Sequence, residues 1–381
     1  MESKIAFFTF ESSVVPGVSK SLINIIDHLS IDYKPIVILH KSGDIETELL
    51  KRNITYYIVK SYTYTKKINE NKFLSICKYI YKRIYNFFQF NKVKKIMNIE
   101  EIKIIHLNKI TCSFGAEVSI KCKIPFITHI REFLEEDQSR EFINKKYCYN
   151  LVKHSYKILA ISNSIKNKYE RILNTPIEVI YNGVDVNNYI IHNHELFKKN
   201  KIKMLIVGRI TSEKGQLDAL KIVKKILELN FPVSLCIVGE VQDISYYNSL
   251  LYFIDKHALN DSVNILHHTN NIKEIYNTND ICIVCSKKEA FGRIVIEAML
   301  AGMVIVAHNQ GAMKELININ ENGYLYNNID EATEIIKYIY QNNSIHKHMG
   351  KVNVNYAAQN FSIENTVNKI ENVYSQLLGE I

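Results

Sequence analysis

Apolar residues follow two rhythms along this chain. Short runs rich in Ile, Val and Leu alternate with longer stretches whose apolar positions recur every three or four residues, and the two kinds interleave from end to end. The short runs of the first half are Ile5–Phe10, Pro35–His40, Thr55–Val59, Ile102–His106, Phe126–Ile130 and Lys157–Ile161. Those of the second half are Lys203–Val207, Val233–Val238, Val263–Leu266, Ile281–Cys285 and Val304–Ala307. Near-continuous apolarity predicts strands covered on both faces, as in parallel sheets, and the helical periodicity between them predicts crossover helices. The fold class expected is α/β, with two doubly wound, Rossmann-like domains.

A turn-rich segment, "VIYNGVDVNNYI", gives way to the polar stretch His192–Lys201, which lacks periodicity. It places a hinge near Asp185–Lys201, with one domain over residues 1–190, a second over 191–355, and a closing helix over 356–381 that can pack back on the first. A chain of 381 residues exceeds what one ordinary core serves, which also predicts two domains. No apolar run approaches the roughly 20 residues needed to span a bilayer. The start "MESKIAFFTF" lacks a small-residue cleavage site, so a cytoplasmic location is expected, with the inner membrane face as a peripheral alternative. Seven scattered cysteines suit a reducing compartment. Cys282 and Cys285, in a strand-like run, read as buried thiols, and no metal site is expected.

The net charge of +9 is unevenly spread, because between Lys60 and Lys95 the only acid is Glu70. Within that stretch Phe73, Cys77, Ile80, Ile84 and Phe87 share one helical face, while Lys78, Lys82 and Asn86 occupy another. Such a basic amphipathic helix fits a domain helix with a wet basic face, or one resting on anionic lipid.

Ligands of open α/β sheets bind beyond the carboxyl ends of the strands, so residues directly after each run are the candidates for chemistry. In "LIVGRITSEKG", Leu205 to Gly215, a strand and Gly turn are followed by Arg209 and Lys214, a planar fork and a point charge suited to a diphosphate. In "SKKEAFGRIVIEAMLAG", Ser286 to Gly302, Glu289 precedes a helix start near Gly292, and Glu297 lies among Ile294, Val295, Ile296, Ala298 and Met299. A helix apolar on every side is buried, so an ionised Glu297 needs a partner. Two carboxylates beside a diphosphate seat suit sugar hydroxyls rather than phosphate. A third loop, "HNQGAMKELI", carries a Gly turn of little specificity.

The order G-R-x-x-x-x-K-G, E-x-F-G-x-x-x-x-E-A-M-x-x-G and "ENGYLY", with "VIYNGVD" and "AISNSIK" upstream, resembles the retaining glycosyltransferases of family 4 (GT4) with the GT-B fold. The resemblance implies two Rossmann-like domains facing across a cleft, the first for the acceptor and the second for the donor. It implies transfer of a hexosyl or N-acetylhexosaminyl group from a nucleotide diphosphate sugar, a UDP-sugar foremost, to a glycan or lipid-linked acceptor in bacterial surface polysaccharide synthesis. No metal or other cofactor is implied, and no nucleic acid. Carried over by position, Arg209 and Lys214 hold the diphosphate, and Glu289 binds donor-sugar hydroxyls. Phe291, Gly292 and Arg293 lie near sugar and phosphate, and Glu297 accepts from the nucleotide ribose, which makes the ligand its partner. His267 edges the base, and Gly17 remains of a glycine pair in "SSVVPGVSK".

Departures from the pattern are Ala290 for a usual Gly, Gln310-Gly311 for two glycines, and Arg131-Glu132 where many relatives carry His-Asp. Either His129 or Arg131 is expected to line the catalytic wall, with a core role as the alternative for His129. Two other functions remain open: a nucleotide-sugar epimerase or hydrolase of the same fold, and a non-catalytic nucleotide-sugar-binding subunit. Dehydrogenase and P-loop readings fail for want of G-x-G-x-x-G and G-x-x-x-x-G-K-[ST].

Overall fold

A computed structural model describes residues 2–13, 17–192, 194–198, 201–267 and 271–379. The chain divides into two compact units, Met1–Gly183 with Ile363–Ile381, and Val184–Ser362. The hinge expected over 185–201 falls partly on residues 193, 199 and 200, outside the described ones.

The first unit holds β1 (Ser3–Thr9), β2 (Tyr33–Leu39), β3 (Thr55–Ile58), β4 (Thr65–Lys67), β5 (Ile104–Leu107), β6 (Phe126–Ile130), β7 (Arg140–Phe142), β8 (Lys157–Ala160) and β9 (Glu178–Val179). Seven of these form one parallel sheet in the order β3-β2-β1-β5-β6-β8-β9, and β4 pairs antiparallel with β7 in a separate ribbon. Central strands are buried on both faces, as Ile5, Ala6, Phe7 and Phe8 of β1 show, which is why they read as unbroken apolar runs. The helix Ile363–Gly379 returns to this unit. It buries Ile363, Val367, Ile370, Val373, Tyr374 and Leu377 in a core shared with the helix Gly17–His28 and β1. These recur at a spacing of three or four, each contributing on the order of 2 kcal/mol by burial. Tyr374 also bonds the Nδ1 of His106 through its hydroxyl at 2.6 Å.

The second unit holds β10 (Ile202–Val207), β11 (Val233–Val238), β12 (Val263–Leu266), β13 (Ile281–Val284), β14 (Val304–His308) and β15 (Tyr324–Tyr326), all parallel in the order β12-β11-β10-β13-β14-β15. Asp280 caps the near end of β13, accepting from the amides of Phe197 at 2.6 Å and Lys203 at 2.9 Å. In both sheets the chain winds outward from the first strand and then returns to its other side. A topological switch point therefore lies between β1 and β5 in one sheet, and between β10 and β13 in the other.

Candidate functional site

In the second unit the loops leaving β10 and β13 flank the switch point and bring the predicted residues together. Beyond β10 the chain passes Gly208 and exposed Arg209, makes a short 3₁₀ turn over Ser212–Lys214, and enters the helix Gln216–Glu228. The side-chain amide of Gln216 ties this loop shut by donating to the carbonyl of Arg209 at 2.9 Å. Beyond β13 lies Glu289, and the Nζ of Lys214 sits 2.7 Å from its Oε2, both side chains about one-fifth exposed. The groups that the resemblance assigns to diphosphate and sugar are thus adjacent.

Two glycines hold the Glu289 loop in shape. Gly292 caps the helix Arg293–Leu300 at φ +91°, in the left-handed region that side chains rarely adopt. Gly311 has φ +58°, and a Cβ there would meet the Glu289 carbonyl oxygen at 2.5 Å. Ala312 donates its amide to that same oxygen at 3.0 Å. The Gly turn of "HNQGAMKELI" therefore grips the backbone of Glu289 from below. In the first turn of Arg293–Leu300 the amide of Val295 turns back to the Gly292 carbonyl at 2.9 Å, while those of Arg293 and Ile294 have no helical carbonyl a turn earlier, so that end favours negative charge. Phe291 is buried and packs its ring 6.1 Å from that of Phe361.

Glu297 requires a correction. It is 5% exposed, as expected, but its partners are inside the unit. Oε1 accepts from the Nε of Arg293 at 2.8 Å, and Oε2 from the hydroxyl of Tyr276 at 2.9 Å. The four-residue spacing stacks Arg293 over Glu297 on one helix face. Burial disfavours the charge of Arg293, yet Glu297 and Tyr189 outweigh it and hold its pKa above the ordinary value. The Arg293 Nε is committed to this pair, while its buried Nη1 has no hydrogen bond among the described residues, and a ligand is not needed to explain Glu297.

In the first unit His129 takes the core position that was its alternative. It lies within β6 at 0% exposure, its ring stacked 5.5 Å from His106, which in turn stacks on Phe7 at 4.9 Å. Burial, then Arg131 and His106, drive its pKa well below the ordinary value, so it is a neutral core histidine. Arg131 is also buried. It donates through Nε to the Oδ1 of Asn108 at 2.8 Å, through Nη1 to Asn182, and through Nη2 to the Nδ1 of His129 at 3.0 Å. With all three nitrogens engaged, Arg131 braces the strand ends.

Among the groups that this wall leaves without a hydrogen bond, together with the Nδ2 of Asn108 and the Nε2 of His129, is Glu132. It is 1% exposed, and neither carboxylate oxygen has a hydrogen-bond partner among the described residues. Burial foremost pushes its pKa up to about 7; Lys109 and Arg131 oppose the rise, while Glu11 and Asp137 add to it. Lys109, just beyond β5, is buried and paired with Glu11, just beyond β1. Its own burial is outweighed by these carboxylates, so it stays charged. His40, beyond β2, joins the group; burial, then Lys41, lower its pKa to about 4. Motif matching noted Glu132 only as a departure and overlooked Glu11 and Lys109, although each follows a strand at the β1/β5 switch point or beside it.

Gly17 opens the helix Gly17–His28, and a Cβ there would meet nothing within 4 Å. His267 is exposed after β12, its ring 5.4 Å from Tyr247, while His268 lies outside the described residues. No group of three or more His, Cys, Asp or Glu with metal-binding geometry occurs among the described residues.

Two family models match in tandem: Glycosyltransferase Family 4 over residues 17–188 and Glycosyl transferases group 1 over 188–355. An uncharacterised glycosyltransferase of Methanocaldococcus jannaschii is 27% identical over 60% of this chain, and the match spans 63% of that relative's length. N-acetyl-alpha-D-glucosaminyl L-malate synthase of Bacillus anthracis is 22% identical over 76% of this chain and 79% of its own. The Anabaena protein HepE, solved in complex with UDP, superposes with a TM-score of 0.81 at 20% identity, covering 98% of this chain and 100% of that one. With two parallel α/β units and this run of matches, the chain belongs to the family 4, group 1 glycosyltransferases of GT-B fold.

Proposed function

We propose that the protein transfers a sugar from a nucleotide diphosphate donor, a UDP-sugar, to an acceptor hydroxyl with retention of anomeric configuration. The observation that carries this reading is the Lys214–Glu289 contact of 2.7 Å at the β10/β13 switch point, beside the start of the helix Arg293–Leu300. Negative charge grows on the diphosphate as the glycosidic bond breaks. Arg209, Lys214 and the helix amides are fixed where that charge is expected, so they stabilise it without reorganising, and the chemistry asks for no metal. Glu289 accepts hydrogen bonds from donor-sugar hydroxyls. Glu297 accepts internally from Arg293 and Tyr276, with Tyr189 beside it, and a ribose hydroxyl would use a lone pair that these leave. The choice of UDP is supported by the Anabaena protein, which is also solved in complex with UDP-glucose.

The acceptor belongs at the first unit's switch point, where Glu132 offers a buried carboxyl to a hydroxyl and Lys109 and Glu11 line the approach. Such a polar floor suits a glycan, free or lipid-linked, and the biological setting we infer is bacterial surface polysaccharide synthesis beside an anionic membrane. No helix among the described residues is long and apolar enough to cross a membrane. A donor screen across UDP-, GDP- and ADP-sugars, reading nucleotide release with and without glycan acceptors, tests the reading. Release that depends on UDP-sugar and acceptor supports it. Equal release without acceptor would instead indicate an epimerase or hydrolase, and no release with any donor would leave a binding subunit.

A further inference from the structure

The helix Lys72–Ile99 lies in the first unit with its apolar stripe turned outward. Over its amino-terminal part the inner face is polar, with Ser75 buried and Asn86 fully buried, exchanging 3.0 Å hydrogen bonds with both the amide and the carbonyl of Tyr62, while the carboxyl-terminal Val93, Ile96 and Met97 enter the core. Phe73, Ile80, Ile84, Phe87 and Phe88 are instead 77%, 53%, 53%, 65% and 72% exposed. A contiguous exposed stripe of this kind marks an interaction surface rather than ordinary surface scatter.

Beside the amino-terminal half of that stripe is an open pocket of about 680 Å³, lined in part by Lys67, Glu70, Leu74, Lys78, Lys82 and Arg140. Its construction follows from element geometry. Lys67 of β4 stands directly opposite Arg140 of β7, on the same face of the ribbon as Thr65. Leu74, Lys78 and Lys82 stand four residues apart on the facing side of the helix. Lys82 donates to the carbonyl of Thr65 at 2.9 Å, and Arg140 to the Thr65 hydroxyl at 3.1 Å. Glu70 pairs with Lys78 and is the sole acid among the lining residues. Four cations thus line a pocket that holds one carboxylate. Like charges directly opposed on a ribbon are destabilising, and Lys82 has its pKa lowered by burial and then by Arg140. A multiply charged anion would relieve both costs, and half-exposed Leu74 joins the pocket to the stripe.

We propose that this pocket receives the phosphate of an anionic lipid headgroup while the Phe73–Phe88 stripe lies in the membrane interface. The inference deepens the membrane part of the proposed function and rests on it, but it does not depend on which sugar is transferred. Charge complementarity selects the headgroup, and the adjoining apolar stripe selects a lipid over a free phosphate.

Flotation of the full chain with vesicles of phosphatidylcholine, alone or with phosphatidylglycerol, tests it. The wild type should bind the anionic vesicles at least ~10-fold more tightly, and high salt should weaken that binding. Lys67→Gln with Arg140→Gln should lose ~10-fold more affinity than Lys94→Gln with Lys95→Gln, which removes equal charge from exposed sites on the same helix. Equal losses in the two pairs would overturn the pocket and leave diffuse membrane attraction standing. A wild type that never floats would overturn both. Displacement of the wild type from vesicles by millimolar pyrophosphate supports a phosphate seat. Pyrophosphate stabilisation that the pocket pair abolishes, without any change in flotation, would assign the pocket to free phosphate and refute the lipid. Should the double variant melt early, Lys67→Gln alone, at an exposed position, set against Lys95→Gln alone, carries the same charge-matched comparison.

Discussion

Replacing Glu132 with Gln isolates the cost of burying an unpartnered carboxylate. Its pKa rises from 4.5 to about 7 on folding, chiefly through burial. A tenfold change in proton affinity corresponds to about 1.4 kcal/mol. The folded chain prefers the protonated form, so the penalty is absent below the unfolded pKa. It develops as pH climbs from about 4.5 to about 7, and is complete above that. The wild type should therefore lose about 3 kcal/mol of stability across this window through Glu132 alone. A Gln side chain carries no charge, so Glu132→Gln should omit that loss, whatever constant offset its amide introduces. Urea unfolding of both proteins at about pH 4.5 and about pH 8 measures the difference, and the gap should move by about 3 kcal/mol in favour of the variant. A gap that stays constant, or moves the other way, would mean that the Glu132 carboxylate has a cationic or hydrogen-bonding partner, and its place as an open acceptor group would fall.

Two further substitutions separate function from structure in the second unit. Glu289→Ala should fold normally and lower turnover at least ~100-fold by removing hydrogen bonds to the donor sugar in the transition state; a folded variant with unchanged turnover would take Glu289 out of the site. Glu297→Gln should lower stability by about 3 kcal/mol, since it strands the buried Arg293 guanidinium, and a thermal melt matching wild type would show that the Arg293–Glu297 pair contributes nothing.

The strand framework was legible because buried parallel strands leave an unmistakable apolar run, and each run expected from the sequence forms a strand. Those that escaped notice are short or polar. Glu178–Val179 spans two residues, Tyr324–Tyr326 three, and the ribbon strands carry Lys66, Lys67 and Arg140. The helix Lys72–Ile99 shows a different gap: periodicity tells which residues share a face but not which face turns inward, and here Asn86 is buried while Phe87 is not. Motif spacing located Lys214 and Glu289 correctly relative to the strands, yet it was silent on pairing. That Arg293 and Tyr276 satisfy Glu297 depends on where a separate helix, Ile272–Asn277, places its tyrosine. His129 sits one strand from His106, and only strand order reveals that stack.

The central claim is that Lys214 and its neighbours form a seat for a nucleotide diphosphate. Calorimetric titration of UDP and of uridine into wild type and Lys214→Ala tests it without knowledge of sugar or acceptor. UDP should bind the wild type, and the substitution should weaken UDP by at least ~10-fold through loss of a charge-assisted contact while leaving uridine affinity unchanged. Wild type that binds neither ligand, or a variant that loses UDP and uridine equally, would contradict the assignment of this site to a donor diphosphate.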